Sequence, residues 1–462
     1  MIGRLAVRSL TAHPVRSAVL AAGFGVGVAV MAILLGIAQV VLEQSRSPAL
    51  VGGGDVLIDL TRQVPARLVL SGTLQTEGLR PRIRVAAPSH TSTVYLVHQG
   101  KITPIAARGG IPSLERALGD EETAATEEWR DSPEDVAWTQ DTPDKVLRYI
   151  DRFHPIPDAP AWSASWAEWL YFNGRTSDAR FYLTFLVGPA QDDGRRTAGV
   201  RLQLDRGGRV ETFTQSQPIT DAEAQLAPDL TIGASFVRLE GMRYRIHLDL
   251  RGAGGRRVHG DLTIEASAGR LVPPLEITGA RGWRSGYVVP VMSGRLYGVL
   301  DAAGERVSFT GGTGYHDHNW GFWKGVSWQW GQVQQGDLSV LYGRVFPPGE
   351  AADPDRIPGF VGVLGRDGPL GYATDVTITE TNDEHGQPRT VVVRARGGGN
   401  LDLQLRFDVE SAVTTRATGS DGPLTGGLDF LQLRGTYAVT GHAGGRTLTF
   451  TAPGSAETFR GQ

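Results

Sequence analysis

The 462-residue chain contains no cysteine. Thiol nucleophiles, iron–sulfur clusters, cysteine-ligated zinc and disulfides are therefore excluded, and nothing marks the redox compartment. Lysine is nearly absent too: Lys101, Lys145 and Lys324 are the only ones, so arginine supplies almost all of the 46 basic residues that face 49 acidic ones. A net charge of −3 gives no electrostatic footprint for nucleic acid, which drops out as a partner. Apolar runs of 18 residues or more are missing beyond a single one near the N-terminus, so the chain by itself is not a channel or permease. Abundant instead are glycine, with 61 residues, and apolar side chains at 40%. That is a composition of strands and turns, in a chain long enough for two or three domains with their own cores.

The single apolar run extends from Ala18 to Leu42, 25 residues without charge or proline. As a helix it spans the roughly 30 Å hydrocarbon layer of a bilayer, and it exceeds the core of a signal peptide. Arg4, Arg8 and Arg16 precede it, which places the N-terminus in the cytoplasm and everything after Leu42 outside. Cleavage of a signal peptide is the competing reading, because Gly36 and Ala38 offer small residues at a suitable spacing. Ala21, Gly25 and Ala29, then Ala32 and Gly36, repeat every four residues and leave room for a second helix. The stretch from Leu10 to Leu35, with His13-Pro14-Val15-Arg16-Ser17 before the span and Gly53-Gly54-Asp55-Val56 after it, resembles the first transmembrane helix of FtsX/MacB-like ABC permeases. The resemblance implies ABC permease subunits as partners and the inner membrane as the location.

The remainder divides into a small mixed α/β spacer over 43–160 and two sheet domains over 161–294 and 295–462, with 1–17 as the cytoplasmic end and 18–42 as the span. In the spacer, Val56-Leu57-Ile58, Ile83-Arg84-Val85 and Thr93 to Val97 predict short strands. Ser132-Pro133-Glu134-Asp135 and Thr142-Pro143 predict two helix starts, the second leading to Val146, Leu147, Ile150 and Phe153 before His154-Pro155 stops it. From Trp162 onward the period is two: Phe181, Leu183 and Phe185; Tyr244, Ile246, Leu248 and Leu250; Leu401, Leu403, Leu405 and Phe407. Asp205-Arg206-Gly207-Gly208, Gly252-Ala253-Gly254-Gly255 and Gly397-Gly398-Gly399-Asn400 supply the turns of antiparallel meanders. The fold class is mainly β, with two antiparallel sheet domains divided near Gly294, each large enough to close around a ligand cavity.

Four of the ten tryptophans, Trp320, Trp323, Trp328 and Trp330, fall within eleven residues, just after Tyr315-His316-Asp317-His318-Asn319. In an extended strand Tyr315, Asp317 and Asn319 share one side while His316, His318 and Trp320 share the other. A carboxylic acid buried among rings stays protonated near neutrality and can donate its proton, which makes Asp317 the candidate acid, with Tyr315 or His316 to tune it. The alternative is a satisfied hydrogen-bond network that fixes the strand. His-x-His also aims two imidazoles the same way, as a metal site requires, but no third ligand is identifiable and neither metal nor other cofactor is expected. A second ring-rich segment runs from Trp162 through Glu168-Trp169-Leu170-Tyr171-Phe172-Asn173-Gly174. There Glu168 is expected to pair with an arginine in the core.

Together Glu168 to Gly174 and Tyr315 to Gly321 resemble the motifs of the AttH and carotenoid 1,2-hydratase superfamily, over a match from about Trp162 to the C-terminus that also takes in Trp328-Gln329-Trp330 and Gly336-Asp337. The family's Glu-Trp-Trp-Tyr reads Glu168-Trp169-Leu170-Tyr171 here. The resemblance implies two lipocalin-like β domains holding a hydrophobic, isoprenoid or lipid-like ligand across or between them. It also implies Asp317 as the acid that protonates an isolated C=C bond, with Tyr315 beside it. Hydratase members carry a His and a Trp before a proline where this chain has Gly286-Tyr287-Val288-Val289-Pro290, so both of those partners are missing. AttH-type members are associated with ABC exporters, in agreement with the permease-like N-terminus.

The leading expectation is therefore a membrane-anchored, exported binding protein for a lipophilic molecule, working beside an exporter. Its ligand-binding set is Glu168, Trp169, Tyr171, His318, Asn319, Trp320, Trp323, Trp328 and Trp330. The rivals are a hydro-lyase or isomerase with Asp317, Tyr315 and His316 as catalytic residues and Trp320 and Trp323 at the cation, and a non-catalytic assembly subunit with solid barrels.

Overall fold

The computed structural model describes residues 66–75, 79–98, 101–119, 129–133, 135, 142–366, 368–398, 400–417 and 428–460, together with 14, 15, 31 and 56–58. Apart from Met31, the run Ala18–Leu42 lies outside the described residues, and so does nearly all of the permease-like stretch. Among the described residues no helix is long and apolar enough to cross a membrane.

The chain forms two compact units, one from residues 1–59 with 85–137 and the other from 60–84 with 138–462. In the first, β1 (Ser89–His98) and β2 (Lys101–Gly110) make an antiparallel hairpin followed by helix α2 (Pro112–Leu118). The strand expected at Thr93 to Val97 is thus present, whereas Val56 to Ile58 and Ile83 to Val85 are not strands. At 132–135 the backbone N–H of Ser132 donates to the Asp135 carboxylate and that of Asp135 to the Ser132 hydroxyl, the reciprocal pattern of a helix start.

The second unit holds α1 (Ala66–Gln75), α3 (Pro143–Ile150) and both large sheets. Part of the expected spacer therefore belongs with the sheets. The first sheet contains β3 (Trp166–Arg175), β4 (Ala179–Ala190), β5 (Arg195–Arg206), β6 (Arg209–Ser216), β7 (Ile219–Thr220), helix α4 (Asp221–Ala224), β8 (Thr231–Ile232), β9 (Ser235–Glu240), β10 (Arg243–Gly252), β11 (Arg257–Glu265), β12 (Val272–Thr278), β13 (Arg284–Ala302), β14 (Glu305–Ser308) and β15 (Gly312–Phe322). Pairing of β10 with β11 closes eight of these strands, β3-β4-β5-β6-β10-β11-β13-β15, into a barrel. The second sheet runs in the order β19 (Gly368–Ala373), β18 (Phe360–Gly365), β17 (Leu338–Phe346), β16 (Ser327–Gln335), β24 (Arg446–Arg460), β23 (Leu428–Ala443), β22 (Leu401–Ala417), β21 (Pro388–Gly397) and β20 (Asp375–Asn382), and is nearly closed. The fold is mainly β, as expected. The change of sheet comes between Phe322 and Ser327, not near Gly294, because β13 continues through Gly294 as one 19-residue strand.

Alternation explains the inner faces. Phe181, Leu183 and Phe185 on β4 and Tyr244, Ile246, Leu248 and Leu250 on β10 are fully or almost fully buried in one cluster, and the side chains from β22 form a second. Phe172, Phe181, Phe185, Phe213 and Tyr244 fill the first barrel from within as a packed core. The β5–β6 turn uses Gly207 and Gly208 at φ of 56° and 78°, values that glycine adopts freely.

Strands β3 and β15 depart from alternation: residues 166–174 are all buried, as are 314–318. One face of each lies inside the first barrel and the other is covered by β16, β23 and β24 of the second. Helix α3, begun by Thr142-Pro143, buries Val146, Leu147 and Ile150 in the first barrel's cluster, and Phe153 follows them in. It thereby brings Asp151 and His154 to the inner side of β15.

Candidate functional site

Pairing of β15 with β3 sets Asp317 opposite Tyr171, Tyr315 opposite Asn173 and Asn319 opposite Trp169. The pleat separates the side chains as expected, and the two faces carry two different polar networks.

On the inner face, His316 is stacked on Phe172 with ring centroids 4.0 Å apart. Its Nδ1 lies 2.9 Å from the Tyr171 carbonyl oxygen and its Nε2 2.9 Å from Asp151 Oδ2. His318 Nε2 lies 2.8 Å from Glu168 Oε1, and its Nδ1 is 3.3 Å from Asp151 Oδ1. Burial by itself works against a charged imidazole, yet the two carboxylates outweigh it and lift His318 to about 9. Burial likewise opposes ionisation of Asp151 and Glu168, and their histidines overcome it: both carboxyls sit below the ordinary value, Asp151 through His316 and His318, Glu168 through His154 and His318. Glu168 thus pairs with histidines, not with the expected arginine, and its carboxylate also accepts from the His154 backbone N–H at 3.0 Å. Trp320 belongs to this side, stacked on His154 at 4.2 Å, with its Nε1–H donating to Glu276 at 3.2 Å. Its ring fits because position 286 is glycine: a Cβ there would lie 1.9 Å from the Trp320 ring.

His154, Glu168 and His318 have donor atoms within 4.8 Å of one another and are the described residues that could hold a metal ion. Both histidine nitrogens meet the same oxygen, Glu168 Oε1, at 2.7 and 2.8 Å. Those are the distances of charge-assisted hydrogen bonds.

On the outer face Asp317 lies in the seam between the barrels, 3% exposed. Its Oδ2 accepts from the Tyr315 hydroxyl and its Oδ1 from the Asn319 amide, both at 2.9 Å. The Trp330 indole N–H donates to the Tyr287 hydroxyl at 2.9 Å, which lies 2.8 Å from the Tyr315 hydroxyl, so a chain of donors ends on the acid. Rings enclose it: Tyr171 and Tyr315 stand 6.4 Å apart, and Trp330 is 5.4 Å from Tyr315. Burial first, then the negative charge of Glu457, hold the Asp317 carboxyl well above its usual range, against the hydrogen bonds of Tyr315 and Asn319. Burial also raises Tyr171, Tyr287 and Tyr315, which remain hydroxyl donors. Glu457, pushed by burial to about 7, faces the same seam from β24. Toward solvent, Tyr287, Asn319, Trp328 and Phe360 are half-buried, and Tyr372, stacked on Phe360, is 50% exposed. The seam therefore has an aromatic mouth. At its other end Asn173, Gln332 and Ser455 help to line a polar cavity of about 10 Å³, room for one water.

Of the expected site residues, Asp317, Tyr315, Asn319, Trp330 and Tyr171 come together at the acid. Trp169, Trp323 and Trp328 form an adjoining ring cluster, with centroids 4.6 to 6.0 Å apart. His316, His318, Glu168 and Trp320 do not join them, because the strand period turns all four inward. His316 therefore has no direct bond with Asp317 and Trp320 is no part of its surroundings. Sequence reasoning missed Asp151, His154, Tyr287, Gln432 and Glu457. Tyr287 was within reach, since it stands on the strand where the two hydratase partners are lacking, directly across from Asn319.

No family model matches the chain, and no curated protein does. Solved structures similar to it include CghA with Sch210972 (TM-score 0.42, 13% identity, covering 69% of this chain and 95% of that one). A kievitone hydratase from Nectria haematococca (TM-score 0.43, 13%, 66% and 93%) and a putative AttH from Nitrosomonas europaea (TM-score 0.40, 13%, 67% and 99%) are also similar. Likeness at this level speaks to neither ligand nor activity.

Proposed function

We propose that the chain binds a hydrophobic, isoprenoid- or lipid-like molecule at the aromatic mouth of the seam, and that Asp317 donates a proton to a C=C bond of that molecule, as a hydro-lyase or isomerase does. One observation carries this: a carboxyl group 3% exposed, ringed by Tyr171, Tyr315 and Trp330 and held by burial well above its ordinary pKa, is shifted towards the protonated form that a general acid needs. Tyr315 and Asn319 aim it. Faces of the surrounding rings are suited to the cation that alkene protonation creates. Native mass spectrometry of delipidated protein mixed with isoprenoid and lipid extracts tests the binding. A retained lipophile is expected, and uptake of none overturns the reading. Asp317→Asn should keep that adduct and lose turnover by about 10²- to 10⁴-fold.

The uncharged run Ala18–Leu42, with Arg4, Arg8 and Arg16 before it against Arg46 alone close after it, supports a single-pass anchor that sets the barrels outside the membrane, beside an ABC permease whose lipophilic cargo they bind. Membrane fractionation with protease protection tests the topology. Replacing the helix by an unrelated span should abolish permease co-purification while leaving ligand uptake intact.

A further inference from the structure

We propose that Glu457 is the second carboxyl group of this site, the base that complements the acid Asp317 and reaches it from the other barrel. This rests on the reading of Asp317 as proton donor. On β24 the register sets Glu457 opposite Trp330 on one side and Gln432 on the other, so it looks out of the second barrel towards β3. It is 9% exposed, and its Oε1 is buried with no hydrogen-bond partner among the described residues. Tyr171, Gln432 and Trp328 are hydrogen-bond partners of the carboxyl group and pull against its burial, while the unpartnered Oε1 is left to take up a proton. The groups facing it are Tyr171 from β3, Trp328 from β16, Gln432 from β23 and Arg201 from β5, while Asp317 on β15 feels its charge. Two carboxyl groups in one dry site resist ionising together, which leaves one protonated and one free to accept.

The water-sized cavity suggests what the base acts on. Arg175 and Arg180 help to line it, as do Asn173, Gln332 and Ser455, which stand two residues along their strands from Tyr171, Trp330 and Glu457 respectively, hence on the same face and about 7 Å away. In the step that follows, the Asp317 O–H bond breaks as a C–H bond forms at one alkene carbon, whose π pair makes that bond. A water that has moved along the seam from that cavity to within hydrogen-bond reach of Glu457 then bonds through its oxygen to the cationic carbon while its proton passes to Glu457. Water adds across the double bond, nothing is oxidised, and the proton gained by Glu457 equals the one lost by Asp317.

The test uses the full-length protein with isotope-labelled carboxyl groups. Carbon NMR titration of wild type and Glu457→Gln should show Asp317 protonated at neutral pH in the first and its pKa clearly lowered in the second, as expected when a neighbouring negative charge is removed. Dodecyldimethylamine, protonated, imitates the cation; it should bind Glu457→Gln at least about tenfold more weakly than wild type at pH 8, with dodecanol binding both equally. An unmoved Asp317 titration, or equal binding of the ammonium probe, overturns the role of Glu457 and leaves Asp317 as the acid. An Asp317 already ionised at neutral pH in wild type overturns the reading of the acid itself.

Discussion

A carboxyl group shut away from water binds its proton more tightly than the same group in an unfolded chain, and that difference is measurable without any ligand. Glu457 stands near 7 in the fold against an ordinary value of 4.5. Between those values the unfolded chain has released its proton and the folded one has not, so stability declines as pH rises from about 4.5 to 7. The loss amounts to about 3 kcal/mol at its fullest. Denaturant titrations at a series of pH values should show this decline in wild type and a clearly smaller one in Glu457→Gln. A parallel decline in both would mean that the group is hydrated. Asp317 acts in the same direction, since burial raises it too.

Strand β15 does two jobs because its period turns alternate residues to opposite neighbours. Outward it carries the acid; inward it is bolted to α3 and the segment after it, by the His316–Asp151 bond and by Trp320 stacked on His154. That inner network pairs buried carboxylates with imidazoles, so deleting one member leaves another buried and unpaired. Asp151→Ala should destabilise the fold by about 3–5 kcal/mol in denaturant titration. Dodecanol binding by the remaining folded protein should change little, because the seam faces the other way. A large loss of binding at unchanged stability would show instead that α3 and the segment after it line the ligand site.

The two barrels were read from the sequence as separate domains, yet they share a core. Trp330, Leu341 and Leu364 from the second sheet lie in the same buried cluster as the interior of the first, and Arg434 of β23 pairs with Asp205 of β5. Polar bonds cross as well: the Gln332 amide donates to Asn173, and the Tyr171 hydroxyl to Gln432. Neither sheet covers its seam face without the other. Calorimetry should therefore show a single cooperative transition for residues 138–462, with calorimetric and van't Hoff enthalpies in agreement. Two resolved transitions would mean that the seam contributes little to holding the barrels together.

Period-two alternation, glycine turns and the proline-led helix start determined the antiparallel strands and α3 from the sequence alone, since these depend on contacts between near neighbours in the chain. The same period correctly divided Tyr315, Asp317 and Asn319 from His316, His318 and Trp320. It could not say which side lay inside a barrel, nor that both sides of β3 and β15 were covered, because a strand buried on two faces no longer alternates. Only the tertiary structure set Asp317 between the barrels, gave Glu168 one histidine from the segment after α3 and another from β15, and turned Glu457 of the last strand towards the same seam. These pairings join residues about 14 to 165 positions apart, and side-chain period carries no information about which strands will meet.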